Sequence, residues 1–266
     1  MAGHVQKPLQ GACVWVTGAS SGIGKALVGQ LVAAGNFVIV SGRNKDALCK
    51  LATQFGGKVK PLVFDVSCAD SMTSVASQLA NITDYLDCVI ACAGVCEYVD
   101  DLDFDSKLYE RVFETNFLGV IRTLELAKPL LDKSKTAPQF VAVGSLSSVL
   151  PFPRAQAYGA AKAALEYFVK VARIDLSHQR LDVSLVRPGF VATALTSNND
   201  FSMPFLLTPD AAAKRIIDGV RKRKAIIDFP RRLSWPLRFL GLFDGLWVRF
   251  VGPHLTRMKT NAKSVQ

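Results

Sequence analysis

The sequence predicts a single α/β domain in which helices cover both faces of a parallel, seven-stranded sheet. The chain has 266 residues, which is enough for one large domain with a sizeable core. Between residues 11 and 228, seven short apolar runs rich in Val, Ile and Phe alternate with amphipathic stretches. Apolar runs of this kind are typical of strands buried on both faces, and their alternation with helices is typical of a doubly wound sheet.

Each predicted strand is one of these apolar runs. The strands are predicted over 13–16, 37–40, 59–64, 88–91, 140–143, 183–186 and 225–227. Between them, amphipathic stretches predict helices near 22–34, 45–55, 70–80, 106–133, 156–179 and 209–223. The last helix also has a start signal, because Thr208 and Pro209 precede its first apolar residues. We therefore assign residues 11–228 to one domain and residues 229–266 to a C-terminal extension.

The cysteine and histidine residues do not suggest a metal site. The six cysteines lie in the first hundred residues without a CxxC pair, and the three histidines are far apart in the sequence. The N-terminus is polar, unlike a secretory signal. We expect buried, reduced thiols, no metal and a cytoplasmic location, because free cysteine is commonly buried in proteins of reducing compartments.

A glycine-rich loop follows the first predicted strand. Residues 17–24 read TGASSGIG and lead into the first predicted helix. Glycines permit a tight turn and a close backbone approach to a pyrophosphate, while the helix N-terminus offers free N–H groups. The strand before the loop and the helix after it complete a Rossmann dinucleotide site. The predicted contacts are Gly18, Ser20, Ser21, Gly22, Ile23 and Gly24.

The end of the second strand predicts which dinucleotide binds. An acidic residue there would accept hydrogen bonds from a ribose 2′-OH and repel a 2′-phosphate, but the sequence has Gly42 and then Arg43. The Arg43 guanidinium could pair with a phosphate, so NADP(H) is favoured over NAD(H). After the third strand, Asp65 and Val66 are placed to meet the adenine ring.

Three residues form a candidate catalytic group. Tyr158 and Lys162 are four residues apart within an Ala-rich helical stretch, so both side chains share one helical face. A neighbouring ammonium, aided by an oxidised nicotinamide, would lower the pKa of a tyrosine from about 10 toward neutrality. Ser145 follows a buried strand at the sheet edge where ligands bind, and its hydroxyl could hydrogen-bond a carbonyl oxygen.

These motifs together resemble the short-chain dehydrogenase/reductase family and, within it, carbonyl reductases. The TGxxxGxG pattern of residues 17–24, Ser145 and the Tyr158-xxx-Lys162 pair match that family, and the resemblance covers residues 11–228. It implies that Asn116 is a fourth catalytic residue, which relays protons through water to the lysine. It also implies cofactor contacts by Ala93, Gly94, Tyr158, Lys162, Pro188, Gly189 and Thr193.

One segment departs from the family pattern. After the fourth strand the family usually has Asn-Asn-Ala-Gly, whereas this chain has Ala91-Cys92-Ala93-Gly94. Neither of the two missing amides takes part in proton transfer. We therefore expect weaker hydrogen bonding between the sheet and this loop rather than a loss of catalysis.

The resemblance implies hydride transfer between NADP(H) and a carbonyl or secondary alcohol. Tyr158 would exchange the proton, Ser145 would polarise the oxygen, and Lys162 would lower the tyrosine pKa and hold the nicotinamide ribose. Family members commonly form dimers or tetramers, here through the helices near 106–133 and 156–179. A cofactor-binding redox sensor or regulator with little turnover is the alternative function.

The charge and the apolar residues near the C-terminus bear on substrate and location. The formal net charge of +10 lies in residues 214–266, which contain 13 Lys or Arg and 3 Asp or Glu. Residues 235–251 are apolar and aromatic with three charges, which suits a helix in a membrane interface better than a span. Peripheral contact of residues 231–259 with the inner face of a membrane, packing on the substrate lid or a partner subunit, and nucleic-acid binding stay open. No recognition motif supports the last.

The apolar stretch over residues 194–207 lies where the family covers its substrate. A hydrophobic substrate is therefore expected, and membrane contact would make a lipid-like carbonyl a natural choice.

Overall fold

The sheet has seven strands, and all of them are parallel. The computed structural model describes residues 9–99, 104–197 and 199–255. The strands are β1 Cys13–Thr17, β2 Phe37–Gly42, β3 Val59–Val63, β4 Cys88–Ala91, β5 Gln139–Val143, β6 Asp182–Pro188 and β7 Ile226–Phe229. Their order is β3-β2-β1-β4-β5-β6-β7. The strands β1 to β3 thus follow one another toward one edge of the sheet, and β4 to β7 toward the other. The predicted doubly wound fold is confirmed.

Helices pack on both faces of this sheet. The α-helices of the domain are α1 Gly22–Ala33, α2 Lys45–Phe55, α3 Met72–Ile82, α4 Ser106–Phe113, α5 Gly119–Leu131, α6 Gln156–Asp175 and α7 Pro209–Arg221. Helices α1, α2 and α7 cover one face, where Leu27, Leu48 and Ile216 meet Val14 and Val16. Helices α3, α5 and α6 cover the other face, where buried residues such as Leu79, Ala127 and Leu165 meet Trp15. Successive strand residues point to opposite faces, and helices cover both faces. The strands therefore lack the alternation of apolar and polar residues that is typical of a half-exposed strand.

The predicted helix over 106–133 is wrong in one respect, because it is divided. A π-helical turn, Glu114–Leu118, separates α4 from α5. Gly119 follows this turn, and a Cβ there would lie 2.7 Å from Cγ2 of Val66. The close approach of α5 to the end of β3 thus requires glycine. Single π turns inside helices are frequent at functional sites, and this one contains Asn116.

The C-terminal extension is not the one continuous helix that residues 235–251 predict. It consists of α8 Arg231–Leu240, a 3₁₀ turn Gly241–Phe243, the short α9 Asp244–Leu246, a π turn Trp247–Val251 and a 3₁₀ turn Gly252–Leu255. Gly241 lies at the first break, where a Cβ would come within 2.8 Å of the Val149 carbonyl oxygen. The backbone at Gly241 thus packs directly against the domain, and the helical dihedral angles are interrupted two residues later, at Phe243. Within the described ranges, no helix is long and apolar enough to cross a membrane.

Candidate active site

The glycine-rich loop joins β1 to α1 with little room for side chains. Gly18 has φ of +68°, and a Cβ on it would lie 2.7 Å from Cα of Ala93. A Cβ on Gly24 would lie 2.2 Å from the Gly18 carbonyl oxygen. Ser21 precedes α1 without capping it through its side chain, so N–H groups at the helix start are left for a ligand. The loop therefore has the close backbone packing and open helix end that a pyrophosphate requires.

The predicted cofactor residues from the other strands converge on this loop. Gly22, with φ of +52°, lies next to Thr193, whose Cγ2 would be 3.0 Å from a Cβ on the glycine. A Cβ on Gly94 would lie 3.1 Å from Oδ1 of Asn116 and 3.7 Å from Nζ of Lys162. Gly18, Gly22 and Gly94 thus line a narrow groove, here called the Gly94 cradle, which extends from the end of β1 across β4 toward β6. A side chain at any of these glycines would fill part of it. These residues fit a dinucleotide.

At the end of β2, two predicted cofactor residues contact one another. Nη1 of Arg43 lies 3.9 Å from Oδ2 of Asp65, and 71% of the arginine side chain is exposed. The Asp65 carboxylate also accepts hydrogen bonds from the backbone N–H of Ser67 at 2.9 Å and from its hydroxyl at 2.7 Å. Sequence reasoning treated Arg43 and Asp65 as separate contacts to phosphate and adenine. The structure makes them one exposed ion pair at the strand ends.

The buried side chain of Asn116 fastens the loop after β4. Its Oδ1 accepts a hydrogen bond from the N–H of Val95 at 2.9 Å, and its Nδ2 donates to the carbonyl of Val95 at 2.8 Å. The loop lacks side-chain amides of its own, and its first residue, Cys92, has a thiol whose pKa burial raises to about 11. Asn116 thus holds the chain at Val95, directly after the segment that lacks the two amides.

Ser145 begins the turn that follows β5. Its hydroxyl accepts a hydrogen bond from the N–H of Ser147 at 3.1 Å, which fixes the turn and orients the side chain. Tyr158 lies near the start of α6, close enough to Ser145 for the serine hydroxyl to act on the pKa of the phenol. Both hydroxyl groups thus lie at the same end of the sheet, within reach of one substrate oxygen.

Lys162 lies one helical turn after Tyr158 and is only 4% exposed. Its ammonium donates to the Val143 carbonyl at 2.9 Å and lies 5.8 Å from the centre of the Tyr158 ring. Burial lowers the pKa of Lys162 to about 8. The ammonium is thus held at the end of β5, between the tyrosine ring and the Gly94 cradle.

The pKa of Tyr158 lies above that of a free tyrosine. Burial raises it to about 12, because the loss of hydration around the phenol disfavours the phenolate, although the hydroxyl of Ser145 acts to lower it. The lowered pKa predicted from the sequence was for a tyrosine beside both an ammonium and an oxidised nicotinamide. In the protein alone, Tyr158 is therefore a protonated phenol at neutral pH.

Aromatic residues absent from the sequence prediction line the outer side of this group. Tyr98 donates a hydrogen bond from its hydroxyl to Oδ1 of Asn199 at 2.8 Å. Its ring lies 6.0 Å from that of Phe201, which in turn lies 6.0 Å from Phe190. Nη1 of Arg154 lies 2.9 Å from Oδ1 of Asp200. Asn199 and Asp200 of the predicted cover thus contact Tyr98 and Arg154, which are distant from them in the sequence. Hydrophobic periodicity cannot predict such pairs.

The C-terminal extension packs against the same turn. Trp247 and Leu237 form a cluster with Leu146 and Leu150, and the Trp247 indole N–H donates to the Pro151 carbonyl at 2.7 Å. The predicted nicotinamide segment also meets the extension, since a Cβ on Gly189, which follows Pro188, would lie 2.7 Å from Cδ2 of Leu233. The inner face of the extension therefore packs on the domain itself, at the Ser145 turn and at Gly189.

Comparison with known proteins agrees with this architecture. The family model for short chain dehydrogenases matches residues 12–202. An oxidoreductase of Myxococcus xanthus without an assigned substrate is 33% identical over 226 residues, covering 84% of this chain and 89% of its own length.

Two solved structures share the fold. A short chain dehydrogenase/reductase from Burkholderia phymatum in complex with NAD superimposes with a TM-score of 0.79 at 19% identity, over 86% of this chain and 92% of its own. A short chain dehydrogenase from Burkholderia cenocepacia in complex with NADP superimposes with a TM-score of 0.79 at 21% identity, over 92% and 99%. The chain belongs to the short-chain dehydrogenase/reductase family, and it is an oxidoreductase that acts on CH–OH or carbonyl groups with a nicotinamide cofactor.

Proposed function

We propose that the protein is an NADP(H)-dependent carbonyl reductase, or the corresponding alcohol dehydrogenase, for a hydrophobic, lipid-like substrate. The observation that carries this proposal is the convergence of Ser145, Tyr158 and Lys162 beside the Gly94 cradle. A carbonyl oxygen placed between the two hydroxyl groups would have its carbon on the side of that cradle.

The proposed chemistry divides between the cofactor and this chain. When bound, the reduced nicotinamide supplies the hydride. Tyr158, a protonated phenol, donates its proton to the substrate oxygen as negative charge develops there. Ser145 donates a hydrogen bond to the same oxygen, and Lys162 places a buried positive charge close enough to stabilise the phenolate that remains. Asn116 holds the loop at Val95. In this proposal Lys162 then returns a proton to the Tyr158 phenolate, and water ordered near Asn116 replaces the proton on Lys162.

Arg43 supports the preference for NADP(H). Its guanidinium is largely exposed at the end of β2, and no acidic residue of β2 itself competes for a ribose. Asp65 would share that guanidinium with a 2′-phosphate. The structural relatives were solved with NAD in one case and NADP in the other, so a direct titration decides.

The test compares Arg43→Ala with the parent protein. We expect the substitution to weaken NADPH binding about 10-fold, because one charge-assisted pair is lost, and to leave NADH binding unchanged. Fluorescence titration with both dinucleotides measures this. NADH binding as tight as NADPH in the parent protein would overturn the preference.

The lining around Tyr98 supports a hydrophobic substrate. Phe190, Phe201 and Tyr98 present aromatic surface next to the two catalytic hydroxyl groups. Apolar pockets with a few convergent polar groups are typical of sites for small hydrophobic molecules. Long-chain ketones and aldehydes should therefore have lower KM values than sugars with the same reacting group.

The outer face of the extension supports contact with an anionic membrane surface. Of the twenty large hydrophobic side chains that are exposed in the described residues, ten lie within residues 231–255. Trp235 is 70% exposed and Leu242 is 76% exposed. Arg231, Arg232, Arg238 and Arg249 are exposed beside them. Apolar aromatic surface flanked by arginine suits a lipid interface with anionic head groups.

Vesicle flotation tests this contact. The parent protein should float with phosphatidylglycerol vesicles at low salt and less at high salt, whereas a Trp235→Ser, Phe239→Ser variant should remain at the bottom. Phe104→Ser is the matched control, because it removes a 68% exposed aromatic side chain outside the extension. Equal flotation of all three proteins would reject the assignment of this face.

Exposed apolar residues on α6 support a homo-oligomer. Tyr167 and Ile174 are 73% and 71% exposed on one long helix. In a homo-oligomer such apolar side chains are buried against a second copy of the chain. Light scattering of the parent protein and of Ile174→Glu measures this. A dimer or tetramer that dissociates in the variant supports the proposal, and a monomeric parent protein contradicts it.

A further inference from the structure

A buried polar chain starts at the backbone of the Ser145 turn and continues into the domain. The hydroxyl of Ser148 lies 2.7 Å from the Ser145 carbonyl oxygen and 2.6 Å from Oε2 of Glu166. The Ser148 N–H also donates to the Ser145 carbonyl, at 3.2 Å. The Ser148 N–H therefore closes the turn, and its hydroxyl, whose single hydrogen is donated to the carboxylate, connects the turn to α6.

Glu166 has a defined place relative to the proposed catalytic residues. It lies one helical turn after Lys162 and two turns after Tyr158, on the same side of α6. A contact from Ser148 to Glu166 thus links the element that carries Ser145 to the helix that carries the other two groups. The separation of the Ser145 and Tyr158 hydroxyl groups depends on how these two elements are held together.

Arg187 keeps Glu166 in position and charged. Its Nη1 donates to Oε1 of Glu166 at 2.9 Å, and its other nitrogens donate to both carboxylate oxygens of Asp228 at 2.7 and 2.6 Å. Burial alone would raise the pKa of Glu166, but hydrogen bonds from Lys170 and Ser148 and the charge of Arg187 hold it below its ordinary value. Hydrogen bonds to an ionised carboxylate are the stronger kind, so the Ser148 contact is a firm one.

We propose that Ser148 and Glu166 are positioning residues, whose contact holds the Ser145 turn at the distance from Tyr158 that proton and hydride transfer require. Among the contacts between the two elements, this one is a short hydrogen bond to a charged group, and it lies beside the site. A displacement of about 1 Å between reacting groups can cost on the order of 100-fold in rate. The rate consequence of this inference depends on the proposed reductase activity.

The same turn provides a matched control. The hydroxyl of Ser147 is buried and has no hydrogen-bond partner among the described residues. Ser147→Ala and Ser148→Ala thus remove the same atom from adjacent residues, and only the second breaks the link to α6. Neither substitution leaves a buried charge without its arginine partner, so both variants should fold.

The first measurement is carbonyl reduction by the holoenzyme. Ser148→Ala should lower kcat about 10-fold while the Kd for NADPH stays within about twofold, because the turn shifts but the cofactor cradle does not. Ser147→Ala should match the parent protein. Glu166→Gln, which keeps hydrogen-bonding capacity at the same place, should retain more activity than Glu166→Ala.

The double variant Ser148→Ala, Glu166→Ala should lose no more activity than Glu166→Ala alone, since both changes break one link. Additive losses, or equal kcat values for Ser147→Ala and Ser148→Ala, would overturn the inference.

The second measurement does not depend on turnover. Hydrogen exchange of the peptide covering residues 145–150 in the full-length protein should be faster in Ser148→Ala than in Ser147→Ala. Equal exchange in the two variants would also overturn the inference. A parent protein that exchanges as expected but reduces no carbonyl would contradict the proposed function and leave the structural link established.

Discussion

The inward face of α6 buries charged side chains, whereas the outer face of the C-terminal extension exposes apolar ones. On α6, Lys162 and Glu166 are polar side chains that are only 4% and 8% exposed. On the extension, Trp235 and Leu242 are apolar side chains that are 70% and 76% exposed. Burying charge and exposing aromatic surface both cost stability, so each departure points to a use. The first region is suited to chemistry and the second to location.

Tyr158→Phe tests the chemical half of this comparison and should have the largest effect. Removing the phenol hydroxyl should lower turnover about 10³-fold, because general acid catalysis is lost, and NADPH binding should change less than about threefold. Steady-state reduction and fluorescence titration measure the two quantities. Tyr85→Phe, which removes the same hydroxyl group from an exposed tyrosine before β4, is the control and should stay active.

Gly18→Ala should have the next largest effect. A Cβ would lie 2.7 Å from the Ala93 backbone at a positive φ, so NADPH binding should weaken by roughly 100-fold, equivalent to a few kcal/mol of strain and displacement. Gly35→Ala is the matched control, since Gly35 also has a positive φ but no atom within 4 Å of the added Cβ. Similar Kd values for the two variants would mean that close packing at Gly18 does not shape the cofactor site.

Trp247→Ala and Trp235→Ala sharpen the comparison within the extension itself. Trp247 is buried against Leu146 and Leu150, so its removal should lower the free energy of unfolding by about 3 kcal/mol. Trp235 is exposed, so its removal should change stability by less than about 0.5 kcal/mol and weaken vesicle binding instead. Urea denaturation and flotation separate the effects. Equal destabilisation by both would show that the extension has no distinct inner and outer face.

The pH dependence should be the smallest effect. Burial lowers the pKa of Lys162 to about 8, while the pKa of Tyr158 is about 12. The ammonium is therefore charged below pH 8 and lost above it, whereas the phenol stays protonated. The kcat for carbonyl reduction should be level below pH 7 and fall several-fold between pH 8 and 9. A profile that stays level to pH 10 would show that the charge of Lys162 does not contribute to kcat.

The sequence predicted the strands and the fold because apolar runs and helical periods are local signals. It also predicted that Gly18, Gly94 and Thr193 share one site, since strand ends meet at one edge of a parallel sheet. It could not predict the ion pair of Arg43 with Asp65 or the π turn at Asn116, because both depend on how separate elements pack. The raised pKa of Tyr158 was missed for the same reason, since hydration is a property of the folded site.

The extension was predicted least well. Its composition indicated an interfacial helix, but the close approach of Gly241 and the inward position of Trp247 follow from contacts with Val149 and Pro151. No periodic pattern within residues 235–251 records those contacts. Sequence reasoning therefore identified which residues are unusual there, and packing decided which of them face the domain.

The most direct test of the central claim is NADPH consumption by the full-length protein over a series of carbonyl compounds of equal reactivity and increasing apolar chain length. We expect turnover with NADPH that rises in kcat/KM with chain length and is lost in Tyr158→Phe. Tight NADPH binding without turnover of any carbonyl, or of the corresponding alcohols with NADP, would contradict the claim and favour a cofactor-binding regulator.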